Sequence, residues 1–382
     1  MLNEKIIKKI SHYKTPFYFY DLDLLRKTLN SIHTEIKKYK YHVHYAFKAN
    51  ANTKIIELIK NSNFGADCVS GNEVKYAIES GFKNSEIVFA GVGKSDDEIN
   101  YALDKNIFCF NCESIQELEV INELAVNKNK IAHIALRINP NVDAYTHKYI
   151  TTGLEENKFG INPYEFDIVI EKLKQLSNLK LIGLHFHIGS QITDLSPFKK
   201  LCIRVNEINN YFFNKGFDLP IINVGGGLGI NYHEPDTEAI VDFEAYFKLF
   251  HDFIEIRKNQ ELHFELGRSV VANCGSLISR VLYIKNGINT NFAILDAGMT
   301  ELIRPALYQA FHKIENISST DEKNIKYDIV GPICESSDCF GKSVELPFTM
   351  RGDLIAIRSA GAYGEVMSSK YNLRDDVRSY SF

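Results

Sequence analysis

The chain has 382 residues, of which 45% are hydrophobic and 24% charged, with a formal net charge of -4 and a pI near 6.3. That length gives room for two domains and a sizeable core, while the charge balance offers no basic footprint for nucleic acid and no run of about 18 apolar residues offers a membrane span. A small-molecule ligand is expected, and a charge-interrupted N-terminus with seven scattered cysteines fits a cytoplasmic protein with free thiols better than a secreted disulfide framework.

The stretch Thr15-Pro16-Phe17-Tyr18-Phe19-Tyr20-Asp21 reads as an aromatic strand, followed over 22–39 by helical spacing with Leu24, Leu25, Leu29 and Ile32 on one side. A βα rhythm then sets in. Strands are expected at 42–48, 64–70, 87–91, 107–111, 133–139, 181–188, 221–225 and 263–266, and the helices between them include 70–80, 96–104, 114–125, 163–176 and 198–215. Ser70 with Glu73, Ser95 with Glu98 and Ser114 with Glu117 have the spacing of capping boxes. Cys109 and Cys112 form a CxxC with no second pair at zinc-finger distance, so buried strand thiols are expected. Eight strands with helical spacers match a (β/α)8 TIM-type barrel, here over 22–269, with a doubly wound sheet as the alternative. From 270 the helical spacers fade. Strands at 276–285, 292–295, 325–330 and 354–358 predict a C-terminal mostly-β domain over 270–382, to which the first strand, 15–21, is assigned.

Candidate chemistry gathers at the C-terminal ends of the barrel strands. Lys48 follows His42-Val43-His44-Tyr45-Ala46-Phe47. Desolvation there would lower its pKa and give an amine able to form a Schiff base with a carbonyl or with pyridoxal phosphate, although a solvated loop lysine is the commoner role for such a residue alone. His185 and His187 fall on one face of their strand; a metal pair there lacks an evident third ligand, so no metal is expected. Val224-Gly225-Gly226-Gly227-Leu228-Gly229 follows the seventh strand, where glycines allow backbone N–H groups to approach a phosphate, or simply make a tight turn. Glu265, on the last strand, needs a cationic partner: a protonated pyridine nitrogen, or Arg268 in a salt bridge.

Taken in order, YAFKAN, HFHIGSQ, NVGGGLG, ELGR, GPICESSD and AGAYGEVMSS resemble the fold type III pyridoxal phosphate-dependent decarboxylases over nearly the whole chain, and most closely the diaminopimelate decarboxylase branch. The resemblance implies that Lys48 holds pyridoxal 5'-phosphate through a Schiff base and that His187 stacks on its ring. Asp67 matches an acidic position near the lysine. Ser190, the Gly225–Gly227 loop with Gly226 and Gly227, and the turn of Gly267 and Arg268 would hold the phosphate, and Glu265 the pyridine nitrogen. Cys334 matches the proton donor to the substrate carbon and Tyr363 a residue touching phosphate and substrate. Arg268, Arg304 and Tyr308 match the positions that grip a distal carboxylate, and Glu335 the one that reads the distal amine.

An arginine fork suits a carboxylate and repels the bare cationic tails of ornithine or lysine. The implied reaction is decarboxylation of meso-2,6-diaminopimelate to L-lysine in a homodimer whose subunits share active sites. The rivals are decarboxylases of ornithine, arginine or carboxynorspermidine, an alanine racemase, a non-catalytic regulatory homologue and, more distantly, a metal-dependent barrel hydrolase. The family's usual proline between glutamate and glycine is Leu266 here, and 141–158 fits its active-site loop.

Overall fold

The computed structural model describes residues 4–142 and 158–382; most of the expected active-site loop lies outside them. β1 (Phe17–Tyr20) precedes the helix Leu22–Tyr39, which buries Leu22, Leu25, Leu29 and Ile32. That helix starts where Asp21 accepts the Leu24 N–H and stops at Lys40, which takes a left-handed φ of 58°.

Eight parallel strands then close a barrel: β2 (His42–Ala46), β3 (Gly65–Cys68), β4 (Ile87–Phe89), β5 (Cys109–Cys112), β6 (Ala132–Ile138), β7 (Leu179–Phe186), β8 (Ile221–Asn223) and β9 (Glu261–Leu266). Closure is made by β2 against β9, with His42 opposite His263 and His44 opposite Glu265. The barrel excludes the doubly wound alternative. Its first strand stops earlier than expected, so that Lys48 lies in a single 3-10 turn, Phe47–Ala49.

The helix starts refine the capping expectation. Ser95 and Glu98 form the full reciprocal box. Ser70 and Ser114 accept from the N–H of Glu73 and Glu117, but those carboxylates reach one residue further back, to the N–H of Val69 and of Glu113. Each therefore ties its helix to the last residues of the preceding strand connection. Cys109 and Cys112 are buried free thiols on β5.

A helix that the spacing argument did not name, Phe243–Phe253, covers the closing seam. Phe247 and Phe250 meet Phe264 of β9 edge-on, at centroid distances of 4.9 and 5.0 Å. Such pairs contribute about 0.5–1.5 kcal/mol each beyond area burial.

The second sheet adds β10 (Gly275–Asn286), β11 (Asn291–Leu295), β12 (Ile314–Asn316), β13 (Asn324–Val330), β14 (Cys339–Pro347), β15 (Leu354–Ile357) and β16 (Arg378–Ser381). The order is β12-β15-β10-β11-β13-β14, and β1 lies antiparallel to β10 and parallel to β16. Strands β12, β14 and β16 and the short helix Arg304–Tyr308 were not among the expected elements. Polar contacts lock this sheet to the barrel. Asn50, two residues after Lys48, donates to the Gly361 carbonyl at 2.8 Å, and Arg358, itself held by Glu315 of β12 at 2.6 Å, pairs with Asp236 of the barrel at 2.7 Å.

Candidate active site

A cavity of about 1000 Å³ opens where the barrel strands end, and residues of the second sheet complete its wall. Lys48, His187, Ser190, Gly227, Glu265, Gly267, Arg268, Arg304, Tyr308 and Tyr363 all line it. Asp67 lies behind Lys48, fully buried, and Gly226, in the middle of the glycine loop, packs against the backbone of Glu265. Cys334 and Glu335 are not in this wall; both are exposed, in the turn between β13 and β14. That turn is organised by the buried Asp338, whose carboxylate accepts the N–H groups of Met299 at 2.6 Å and Ile333 at 2.7 Å.

Lys48 Nζ stands 3.1 Å from Asp67 Oδ2. Burial works to lower the Lys48 pKa, as the strand-end argument expects, but Asp67, Tyr363 and Glu265 outweigh it and the net shift is upward. The amine is thus held as an ammonium until a proton is taken from it. Asp67 keeps a second oxygen, Oδ1, buried without a hydrogen bond.

Glu265 is not paired with Arg268; three other side chains of the barrel meet it. His185 Nε2 donates to its Oε2 at 2.9 Å, while Asn111 and Asn223 donate to Oε1 at 3.1 and 2.8 Å. Burial pushes the Glu265 carboxyl up, but the charges of His185 and Lys48 outweigh it, and the group sits below the ordinary carboxylate range.

His187 faces the cavity with its proton position fixed. The Gly226 N–H donates to His187 Nδ1 at 3.3 Å, which leaves the ring proton on Nε2. Burial, reinforced by Arg137 and Lys48, pushes its pKa well below the usual range, so the ring is neutral. Gly226 has no room for a side chain: a Cβ would stand 1.8 Å from the Glu265 carbonyl oxygen. Gly227 has a φ of +101°, a conformation that favours glycine.

Arg268 does not pair with Glu265. Its Nη1 donates to the Tyr232 hydroxyl at 2.6 Å and its Nη2 to Ser190 at 3.0 Å, while Nε is buried without a partner. Arg304 Nη1 donates to the same Tyr232 hydroxyl at 2.9 Å and also contacts His312 Nε2 at 3.0 Å. His312 Nδ1 donates to the Arg358 carbonyl at 2.8 Å, so its Nε2 is the acceptor that Arg304 requires. Tyr232 is therefore the bridge between two buried guanidinium groups. Burial alone would raise its pKa, yet Arg268 and Arg304 bring the net shift downward. The Tyr363 ring lies under Arg268 at 4.9 Å, and Tyr363 itself takes a left-handed φ of 56°, held by its N–H on the Ala49 carbonyl at 2.8 Å.

These residues fit pyridoxal phosphate. An amine stands beside a buried carboxylate, and a glycine loop without space for a Cβ lies next to Ser190 and to an arginine with a spare Nε–H. That is the donor set a phosphate monoester and an aldehyde require. Asn111, Asn223, Tyr232 and His312 were missed by the motif argument. The first two were detectable as asparagines inside otherwise apolar barrel strands; Tyr232 lies in the loop after β8 and His312 just before β12, and no sequence spacing ties either to the arginines.

Residues 22–272 match the family model described as the pyridoxal binding domain of pyridoxal-dependent decarboxylases. The chain is 57% identical to a diaminopimelate decarboxylase of Bacteroides thetaiotaomicron over 98% of its own length and 97% of that protein. It is 42% identical to one from Helicobacter pylori, covering 95% and 89% of the two chains. A crystal structure of the Helicobacter pylori diaminopimelate decarboxylase complexed with L-lysine superposes with a TM-score of 0.92 over 98% of this chain and 93% of that one, at 40% identity. A Chlorella virus arginine decarboxylase, at 21% identity and a TM-score of 0.86, shares the fold. With its closed barrel, the cavity at its strand ends and these relatives, the chain belongs to the pyridoxal-dependent decarboxylase family, in the diaminopimelate decarboxylase branch.

Proposed function

We propose that the protein decarboxylates meso-2,6-diaminopimelate to L-lysine and carbon dioxide, the last step of lysine biosynthesis, in the cytoplasm. The observation that carries the substrate choice is the pair of buried guanidinium groups, Arg268 and Arg304, held side by side on Tyr232 at the cavity wall. The relatives' diaminopimelate decarboxylase names and the L-lysine bound to one of them support the same reading. Among the described residues, no helix is long and apolar enough to cross a membrane.

Bound pyridoxal phosphate supplies an electron sink for the pair left behind when carbon dioxide departs. Lys48 would hold the cofactor, Ser190, Gly226, Gly227, Gly267 and Arg268 its phosphate, and Glu265 the protonated ring nitrogen, with His187 against the ring face. Asp67 accepts and returns the Lys48 proton across 3.1 Å. Glu265 is suited to its part because His185, Asn111 and Asn223 keep it ionised inside the barrel. Arg268, Arg304 and Tyr308 orient the distal carboxylate, and Tyr363 spans phosphate and substrate. Cys334 Sγ returns a proton to the substrate carbon and Glu335 reads the distal amine. Both come from the neighbouring subunit of a homodimer, a reading supported by their exposure in the single chain.

The deciding experiment measures carbon dioxide and amine product from meso-diaminopimelate, ornithine, arginine and lysine. Product from diaminopimelate alone is expected, with kcat/KM reduced about 100-fold in Arg304→Ala, since a charge-assisted contact is worth about 1.5–3 kcal/mol. Turnover of ornithine or arginine instead would overturn the substrate assignment and leave the cofactor assignment intact. Tyr232→Phe should raise KM about 10-fold with little change in kcat, because the two arginines lose their common acceptor but not their charge; an unchanged KM would remove Tyr232 from substrate positioning.

Asp67→Asn has a directional consequence. Burial lowers the Lys48 pKa and Asp67 opposes it, so removing that charge should move the pH profile of cofactor capture to lower pH. The rate of colour development after mixing apoprotein with pyridoxal phosphate across pH 6–10 reads this shift, here over a roughly chosen span on either side of neutrality. A profile that moves to higher pH contradicts the assigned pairing.

A further inference from the structure

The opposite end of the barrel carries side chains that the cavity does not use. His42 opens β2, Glu261 opens β9, and barrel closure sets His42 opposite His263 across the seam between first and last strands. His42 Nε2 lies 3.6 Å from Glu261 Oε2, and His263 Nε2 lies 3.5 Å from the same oxygen. The three ligand atoms all fall within 4.8 Å of one another. Ligand atoms about 2.0–2.2 Å from a tetrahedral zinc ion stand roughly 3.3–3.5 Å apart. His42 and Glu261 are about half exposed, so side-chain rotation alone can close the remaining gap.

A relay behind His263 fixes its protonation. The Glu86 carbonyl can only accept, so His44 Nδ1, 3.1 Å away, carries the hydrogen. His44 Nε2 is then the acceptor, and His263 Nδ1, at 2.9 Å, is the donor to it. With its hydrogen on Nδ1, His263 turns a bare Nε2 lone pair toward Glu261, in the protein interior and without a hydrogen bond. The lone pair and the Glu261 carboxylate thus face one another as two donors of electron pairs, the arrangement a cation between them would use. Gly65 gives the relay its space, since a Cβ there would stand 2.4 Å from His44 Nδ1 and 2.5 Å from the Glu86 carbonyl oxygen. An outer hydrogen bond that frees one imidazole nitrogen for coordination is the usual support of a metal-ligating histidine.

We propose that His42, Glu261 and His263 bind a divalent transition metal of the zinc class at the N-terminal end of the barrel, with a remaining position open to water. Two imidazoles and a carboxylate suit zinc better than magnesium or calcium, which take oxygen ligands. The ion would staple the first strand to the last, far from Lys48, and its effect is on stability and not on turnover.

The test uses the cofactor-loaded full chain, stripped with chelator, incubated with zinc chloride and gel-filtered. About one zinc per chain should be retained, and the thermal midpoint should rise by about 3 °C at zinc 100-fold above its Kd. His42→Ala should abolish both effects, Glu261→Gln should weaken binding about 10- to 100-fold, and both variants should keep normal decarboxylase turnover. The proposal is overturned by no retained zinc, by an equal shift in His42→Ala, or by retention that disappears in Cys334→Ser, which would place the ion at the exposed thiol.

Discussion

Replacing Lys48 by alanine is expected to lower kcat by about 10^4-fold or more, and to leave a protein that no longer turns yellow with pyridoxal phosphate. Among the described residues that line the cavity, Lys48 is the only amine. Two effects are mixed in that variant, because removing Lys48 also takes the cation away from the buried Asp67, 3.1 Å distant. Lys48→Arg separates them. It keeps a positive charge beside Asp67 but offers a guanidinium that does not deprotonate, so it should fold with near-normal thermal stability and still lack colour and turnover. If either variant retained more than about one part in a hundred of wild-type kcat, Lys48 would not be the anchoring group.

The barrel was legible because its evidence is repetitive. Each apolar strand run is followed by a helix start, and eight such units allow errors of two or three residues at their ends, as at β2 and β8, without changing the architecture. The second sheet was less legible. β14 mixes Gly341, Lys342 and Glu345 into a partly exposed strand, so its alternation is faint, and β12 is only three residues long. Within the site, residues on recognisable motifs were found, whereas those acting through partners were not. Glu265 read as a carboxylate in need of a cation, and two candidates were offered, Arg268 and a ring nitrogen. Arg268 is engaged by Tyr232 and Ser190 instead, and the chain's own groups that meet Glu265 are His185, from two strands away, with Asn111 and Asn223. That convergence depends on barrel closure, which brings β5, β7, β8 and β9 around one interior, and linear spacing does not encode it. The Lys48 pKa shows the same limitation. Desolvation is predictable from a strand end, but the opposing charge of Asp67 is set by the β2–β3 register, which places Ala46 beside Asp67.

Cys334→Ala should lower kcat about 10^2- to 10^4-fold, the range for loss of a positioned proton donor, while cofactor colour and midpoint stay unchanged. Its decisive use is in combination. Cys334 is exposed in the single chain, on a turn that Asp338 holds away from the cavity containing Lys48. If a second copy supplies the thiol, Cys334→Ala and Lys48→Ala damage opposite contributions to each site. In a mixed dimer, one site receives both defects and the other receives neither. An equal mixture after complete subunit exchange should therefore recover about a quarter of wild-type activity, since half the dimers are mixed and half of their sites are intact. Each variant alone remains nearly inactive, so the recovered activity stands against a low background. Exchange is verified independently by labelling the two variants with different tags and capturing both in one particle. Captured mixed dimers without recovered turnover would show that each chain builds its own site, and Cys334 would then lose its place in the reaction, because its own chain leaves it in solvent.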